Sequence, residues 1–151
     1  MWEKLSLFRR KIVAKIVIDA YAWIELFIGS EKGLDVKKLI ENADEIYTPG
    51  TVLAEIARKY VREGVDEKTV DARLEVIVSV SNITHIDAGI ALEASRCYIE
   101  LMTCAKKSKL NTPSLFDAIV LATGRLSKSK IVTGDEHFKN LPETIWIGKS
   151  K

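Results

Sequence analysis

Short runs of β-branched residues alternate with longer helical stretches along nearly the whole chain. That rhythm restricts the fold more than any other feature of the sequence. Ile12–Ile18 reads as a first strand. Ala20–Phe27 and Leu34–Asn42 read as helices, with Gly29, Ser30 and Gly33 between them. A short strand is expected at Glu45–Tyr47, then a turn at Thr48-Pro49-Gly50. Helices follow over Thr51–Glu63 and from Asp66 to Val78, the second with Leu74, Ile77 and Val78 on one side. Ser81–Ile86 reads as a strand, and Asp87 caps a long helix reaching Ala105. Asn111-Thr112-Pro113 opens a helix running to Leu126. Lys130–Thr133, Asp135–Asn140 and Thr144–Ile147 read as strand, short helix and strand. Strands alternating with helices of this length form βαβ units, which build a parallel sheet with helices on both faces. The expected class is α/β. In such sheets ligands bind outside the carboxyl ends of the strands.

At 151 residues, with 47% hydrophobic and 29% charged residues, the chain suits a single globular domain. No repeat or linker divides it. The longest stretch lacking Asp, Glu, Lys and Arg is Val76–Ile86, 11 residues. A membrane span needs about 20 apolar residues, so none is expected. Lys15, Asp19 and Glu25 interrupt the apolar run behind the basic start, which argues against a secretory signal and for a cytoplasmic protein. Cys97 and Cys104 stand seven apart in one helix, about 10 Å at 1.5 Å per residue, too far for a disulfide. Both read as small core residues.

The net charge is only +2, but it is unevenly spread. Residues 1–15 hold five Lys/Arg against Glu3. Residues 106–130 hold Lys106, Lys107, Lys109, Arg125, Lys128 and Lys130 against Asp117 alone. Residues 31–75 hold eleven acids against eight bases. A basic patch suits a nucleic-acid backbone; solvated lysines at helix ends are the plain alternative.

Four acids stand out by position. Asp19 follows Ile16-Val17-Ile18, and Asp135 follows Ile131-Val132-Thr133-Gly134, so both mark carboxyl ends of strands. Each also suits a helix N-cap. Asp117 sits in Leu115-Phe116-Asp117-Ala118-Ile119-Val120-Leu121-Ala122, apolar nearly all round. A carboxylate there costs several kcal/mol unless it is paired or cation-bound. Glu55 lies near the start of its helix, beside the apolar stripe. An interaction with the helix amino end is its simplest explanation. Four carboxylates drawn to one edge cannot all stay ionised without a cation, and an oxygen-rich site suits Mg²⁺ or Mn²⁺. Thr133, two residues before Asp135, offers a hydroxyl to a carboxylate or a phosphate.

These residues carry a family resemblance. Residues 16–33 around Asp19 resemble the opening motif of PIN-domain proteins, above all the VapC-type toxin ribonucleases. TPGTVLAEIARKY (Thr48–Tyr60) resembles the segment with their second acid, here Glu55. PSLFDAIVLATG (Pro113–Gly124) resembles the helix with the third, here Asp117. IVTGDEHF (Ile131–Phe138) resembles the last motif, here Asp135 with Thr133. The resemblance implies an α/β/α sandwich around a parallel sheet, over residues 12–151, preceded by an extension at residues 1–11. Gly124 stands where family members often have Ala. The resemblance also implies Mg²⁺- or Mn²⁺-dependent cleavage of single-stranded RNA, a homodimer and a small VapB-like antitoxin as partner.

On that basis Asp19, Glu55, Asp117 and Asp135 are the expected catalytic and metal-holding residues, with Thr133 in support. Glu136 is a candidate extra ligand, with a solvated first-turn Glu the favoured reading. His85 and His137 are expected to be structural or surface residues. Lys106, Lys107, Lys109, Arg125 and Lys128 are expected along the RNA backbone. The main alternative is a PIN domain that binds RNA or protein without cutting. A phospho-accepting signalling domain is disfavoured, because Asp19 is followed by Ala20 and Thr133 by Gly134.

Overall fold

A computed structural model describes residues 14–149. Five strands, β1 (Lys15–Ile18), β2 (Glu45–Pro49), β3 (Asn82–Thr84), β4 (Lys130–Thr133) and β5 (Thr144–Trp146), form one parallel sheet in the order β3-β2-β1-β4-β5. Val17 is in register with Tyr47 on one side and Ile131 on the other. Six helices connect them: α1 (Ala20–Ile28), α2 (Glu31–Asn42), α3 (Gly50–Arg62), α4 (Glu67–Val80), α5 (Ala88–Lys107) and α6 (Leu115–Ser127). A 3-10 turn covers Glu136–Phe138. The chain steps from β1 through β2 to β3, then crosses back over the sheet to β4. Right-handed crossovers therefore place α1–α4 on one face and α5 and α6 on the other, the expected α/β/α arrangement.

The core lies where the central strands meet these layers. Val17, Ile18, Ile131 and Val132 are fully buried, packed with Trp23, Ile56, Leu101, Leu121 and Phe138. Trp23 keeps a polar partner there: its Nε1 donates to Thr48 Oγ1 at 3.2 Å, and Ser81 Oγ donates to the same oxygen at 2.9 Å. Helix starts are capped as their residue types dictate. Ser30, Asp66, Asp87 and Ser114 each accept from a backbone N–H in the first turn, each cap contributing about 1 kcal/mol.

Several expectations shift. The extension at 1–11, with Ile12 and Val13 of the first strand and residues 150–151, lies outside the described residues. The Ser30 cap starts α2 at Glu31, not Leu34. β2 runs on to Pro49, so α3 begins at Gly50. β3 pairs over only three residues. Val70, Leu74 and Ile77 form the inner stripe of α4, while Val78 is exposed. Cys97 is buried as expected, but Cys104 is exposed and both are free thiols. Gly124 is more than a neutral departure from the family pattern. A Cβ there would stand 2.8 Å from Ile131 Cγ1, because α6 presses directly on β4. No helix among the described residues is long and apolar enough to cross a membrane.

Candidate active site

The strand order reverses between β1 and β4, so the connections leaving these two neighbours run to opposite sides of the sheet. A crevice opens at their carboxyl ends. Asp19 and Asp135 stand at its two walls. The Asp19 N–H donates to Val132 O at 3.2 Å and carries the ladder one residue past β1. Asp19 is almost fully buried and caps α1, its Oδ1 accepting from Ala20 N at 2.7 Å. Its Oδ2 accepts from the buried Thr133 hydroxyl at 2.8 Å, and that hydroxyl in turn accepts from Asp135 N at 3.0 Å. Thr133 therefore joins the two acids. In Asp19 the helix cap and the candidate site residue are one and the same.

Asp117 is the third residue of α6. Its Oδ2 accepts from Ser114 N at 2.8 Å, and its own N–H donates to Ser114 Oγ at 3.1 Å, a reciprocal cap. Beyond it, residues 118–124 are all buried, as the apolar run requires. Glu55 is the sixth residue of α3, one residue farther in than the expected start at Thr51 made it, and is half-buried. Asp19, Glu55, Asp117 and Asp135 line one open cleft together with Tyr21 and Gly134. A Cβ on Gly134 would stand 2.3 Å from the Tyr21 ring, so only glycine lets that ring close the cleft wall.

Electrostatics follow from this crowding. Burial pushes the Asp19 carboxyl up to about 7; the Thr133 bond opposes this, and Glu55 and Asp135 add to it. Burial, then Asp117, raises Glu55, with Arg58 opposing. Burial also raises Asp117, against the Ser114 backbone bond and with Asp135 adding. Three of the four acids thus resist ionisation while they face one another without a cation.

His137 enters the site through Asp135. Its Nδ1 lies 2.7 Å from Asp135 Oδ1 and its Nε2 lies 2.7 Å from the Asn111 carbonyl. Both partners are acceptors, so the doubly protonated ring satisfies both. Burial lowers its pKa, but the bonds to Asn111 and Asp135 outweigh this and leave it raised. The ring clips the loop before α6 to the turn after β4. Ligand atoms of Asp117, Asp135 and His137 lie within 4.8 Å of one another. With both His137 nitrogens engaged, the open donors are carboxylate oxygens, a set that fits a hard divalent ion. Glu136 is exposed and does not line the cleft; His85 is exposed as expected.

The remaining basic residues separate. Lys106 and Lys107 end α5 and Lys109 follows it, all exposed. Arg125 and Lys128 are not brought to the acids. They border a hollow with Ala14, Lys15, Ile16 and Lys130, at the amino ends of β1 and β4. Arg125 is also engaged there. Its Nη1 and Nη2 donate to Glu100 at 2.6 and 2.9 Å, and its Nε donates to Glu143 at 2.8 Å. The cations that do line the cleft are Arg58, Lys59 and Arg62 of α3, residues that the uneven spread of charge along the sequence does not single out. The available signal is their spacing from Glu55: three, four and seven residues on, the same helix face.

The family model for the PIN domain matches residues 16–143. No curated protein matches the chain by sequence. Among solved structures, the chain is similar to one from a toxin–antitoxin complex of Klebsiella pneumoniae. That match has TM-score 0.62 and 20% identity, covering 89% of this chain and 99% of that one. A chain of VapBC2 from Rickettsia felis, bound to a promoter DNA fragment, matches with TM-score 0.63 and 17% identity, covering 90% and 99%. VapC20 of Mycobacterium tuberculosis, described as a sarcin–ricin loop cleaving toxin, matches with TM-score 0.57 and 17% identity, covering 76% and 85%.

Proposed function

The chain belongs to the PIN domain family, and from that premise we propose that it is a metal-dependent endoribonuclease acting on single-stranded RNA. The observation that carries this reading is the convergence of Asp19, Glu55, Asp117 and Asp135 on one cleft at the reversal of strand order. Acids so placed are raised by burial and by one another, which is the state of a site built around a cation.

Asp19, Glu55, Asp117 and Asp135 would hold Mg²⁺ or Mn²⁺. A bound divalent ion activates water and neutralises charge on the phosphate oxygens. The chain's own residues prepare that chemistry. Thr133 fixes the rotamer of Asp19, and Ser114 fixes Asp117. His137 holds Asp135 and has no free nitrogen for proton transfer. Tyr21, lying against Gly134, walls the cleft. In-line attack by water on the phosphodiester leaves a 5′-phosphate and a 3′-hydroxyl. A histidine-based, metal-free cleavage would leave a 2′,3′-cyclic phosphate.

The similarity to chains from toxin–antitoxin complexes supports a toxin role with a VapB-like antitoxin as partner. A homodimer is the proposed working form. Lys106, Lys107 and Lys109 are assigned to RNA backbone beyond the cleft. Cleavage of a pool of single-stranded RNAs with Mn²⁺, Mg²⁺ or EDTA tests the reading, with Asp117→Asn run beside it. Asn keeps an oxygen for the Ser114 N–H, so the variant retains its helix cap. Metal-dependent cutting lost in the variant is expected. RNA binding without cutting would favour a non-catalytic PIN domain. Cutting that survives both EDTA and the substitution would refute the carboxylate mechanism.

A further inference from the structure

We infer that Arg58, Lys59 and Arg62 on α3 form a phosphate-binding track that seats the RNA flank entering the carboxylate cleft. The inference rests on the ribonuclease reading of that cleft and adds how its substrate is held.

An acidic cleft repels a polyanion, so the site needs attraction from elsewhere. The α3 row supplies it on the wall that carries Glu55. Arg58 is one turn from Glu55 and borders two depressions: the main cleft, and a second beside Ser114, Phe116 and Asp117. It therefore stands closest to the acids, and its charge is felt by Glu55. Arg62 is one turn farther along the same face. Four residues of helix rise about 6 Å, comparable to the step between neighbouring phosphates. The row thus leads away from the acids at the repeat of the ligand.

These guanidinium groups are also available. Both are exposed, and neither forms an ion pair among the described residues. Several other cations of the fold are committed elsewhere. Arg125 holds Glu100 and Glu143, Lys15 faces Glu45, Lys32 donates to Tyr21, and Arg73 lies over the Tyr60 ring. Lys59 is the partial exception, since its Nζ bonds Glu63 Oε1 at 2.5 Å. Glu63 lines the cleft as well, so it competes with phosphate for Lys59. Arginine forks suit phosphate oxygens, and each phosphate neutralised releases counterions.

The test is fluorescence anisotropy of a labelled, mixed-sequence single-stranded RNA against the full chain in Mg²⁺ across a salt series. The Asp117→Asn background prevents cutting. Arg58→Ala/Arg62→Ala is expected to weaken binding at least tenfold near 0.1 M salt. The log–log salt slope should fall by about 1.4, or 0.7 for each phosphate no longer neutralised. Glu63→Gln, which frees Lys59, should tighten binding, and Arg58→Lys/Arg62→Lys should restore the slope. Lys128→Ala, at the opposite edge, should leave it unchanged. Arg58, Arg62, Glu63 and Lys128 are all exposed, so melting temperatures equal to that of the Asp117→Asn parent are the check on folding. An unchanged slope in the double alanine variant, or an equal loss in Lys128→Ala, would overturn the track while leaving the ribonuclease reading in place. Failure of the parental protein to bind RNA even at low salt would overturn both.

Discussion

The Thr133 hydroxyl donates to Asp19 Oδ2 at 2.8 Å, joining residues 114 positions apart across the seam between β4 and β1. The Thr133 hydroxyl oxygen in turn accepts from the Asp135 backbone N–H. One buried hydroxyl thereby orients two of the four acids. Thr133→Val keeps the shape and removes both bonds, leaving a buried carboxylate oxygen and an N–H without partners. A stability loss of about 1–3 kcal/mol is expected. Mn²⁺ affinity should fall about tenfold or more, because the hydroxyl that orients a carboxylate proposed to hold the metal is gone. Thermal melts and calorimetric Mn²⁺ titration check this, and Thr133→Ser should recover most of the affinity.

Stability should fall as pH rises when no divalent ion is present. Asp19 ionises ordinarily at 3.8, and its folded site holds the proton to about 7. Between those values the folded protein binds more protons than the unfolded chain, so raising pH favours unfolding. Glu55 and Asp117 are shifted in the same direction. His137, also raised, contributes stability below its usual value of 6.5 that is lost as pH passes its folded value. The Tm in EDTA is therefore expected to drop from pH 5 to pH 8. Added Mn²⁺ should raise Tm more at pH 8 than at pH 5. An EDTA-insensitive, flat profile would show that these acids do not share one charge-crowded site.

Gly134→Ala should damage both fold and site. The added Cβ meets Tyr21 Cε1 at 2.3 Å and Cζ at 2.6 Å, and the Tyr21 hydroxyl is itself held by Lys32 Nζ at 2.7 Å. Either the ring swings out or the turn carrying Asp135 moves. A loss of about 1–3 kcal/mol is expected, together with reduced cleavage. Tyr21→Ala in the same chain should return part of the stability. A double-mutant cycle measures that coupling.

Arg125→Ala should act on stability and leave RNA binding alone. The substitution strips Glu100 and Glu143 of a bidentate and a single charge-assisted bond, at about 1–3 kcal/mol by urea unfolding. Arg125 bonding holds Glu100 below its ordinary range. That part of the stability is present above the ordinary carboxylate value and lost as pH falls through the lowered one. An RNA salt slope equal to wild type is the expected companion result.

Local pattern carries much of this. Ile16-Val17-Ile18-Asp19 and Ile131–Asp135 each announce a strand with an acid at its end, because β-branched runs are buried and a polar residue marks where burial stops. The apolar ring of residues around Asp117 likewise marks it as a carboxylate that needs a partner. Glu55 is harder to read, since an acid early in a helix has an ordinary electrostatic explanation. Its place in the cleft becomes visible only once α3 is set beside the crevice.

The sequence by itself determined the strand–helix alternation, the caps and the positions of Asp19, Asp117 and Asp135, because those depend on neighbours a few residues away. Tertiary structure decided the use of the cations. Residues 31–75 are net acidic, yet α3 turns Arg58, Lys59 and Arg62 together into the cleft. Residues 106–130 are net basic, yet Arg125 is neutralised by Glu100 and Glu143, 25 and 18 positions away. A long charged side chain takes its partner from whatever the packing of helices and strands brings within reach, and that is a property of the assembled layers and not of the local segment.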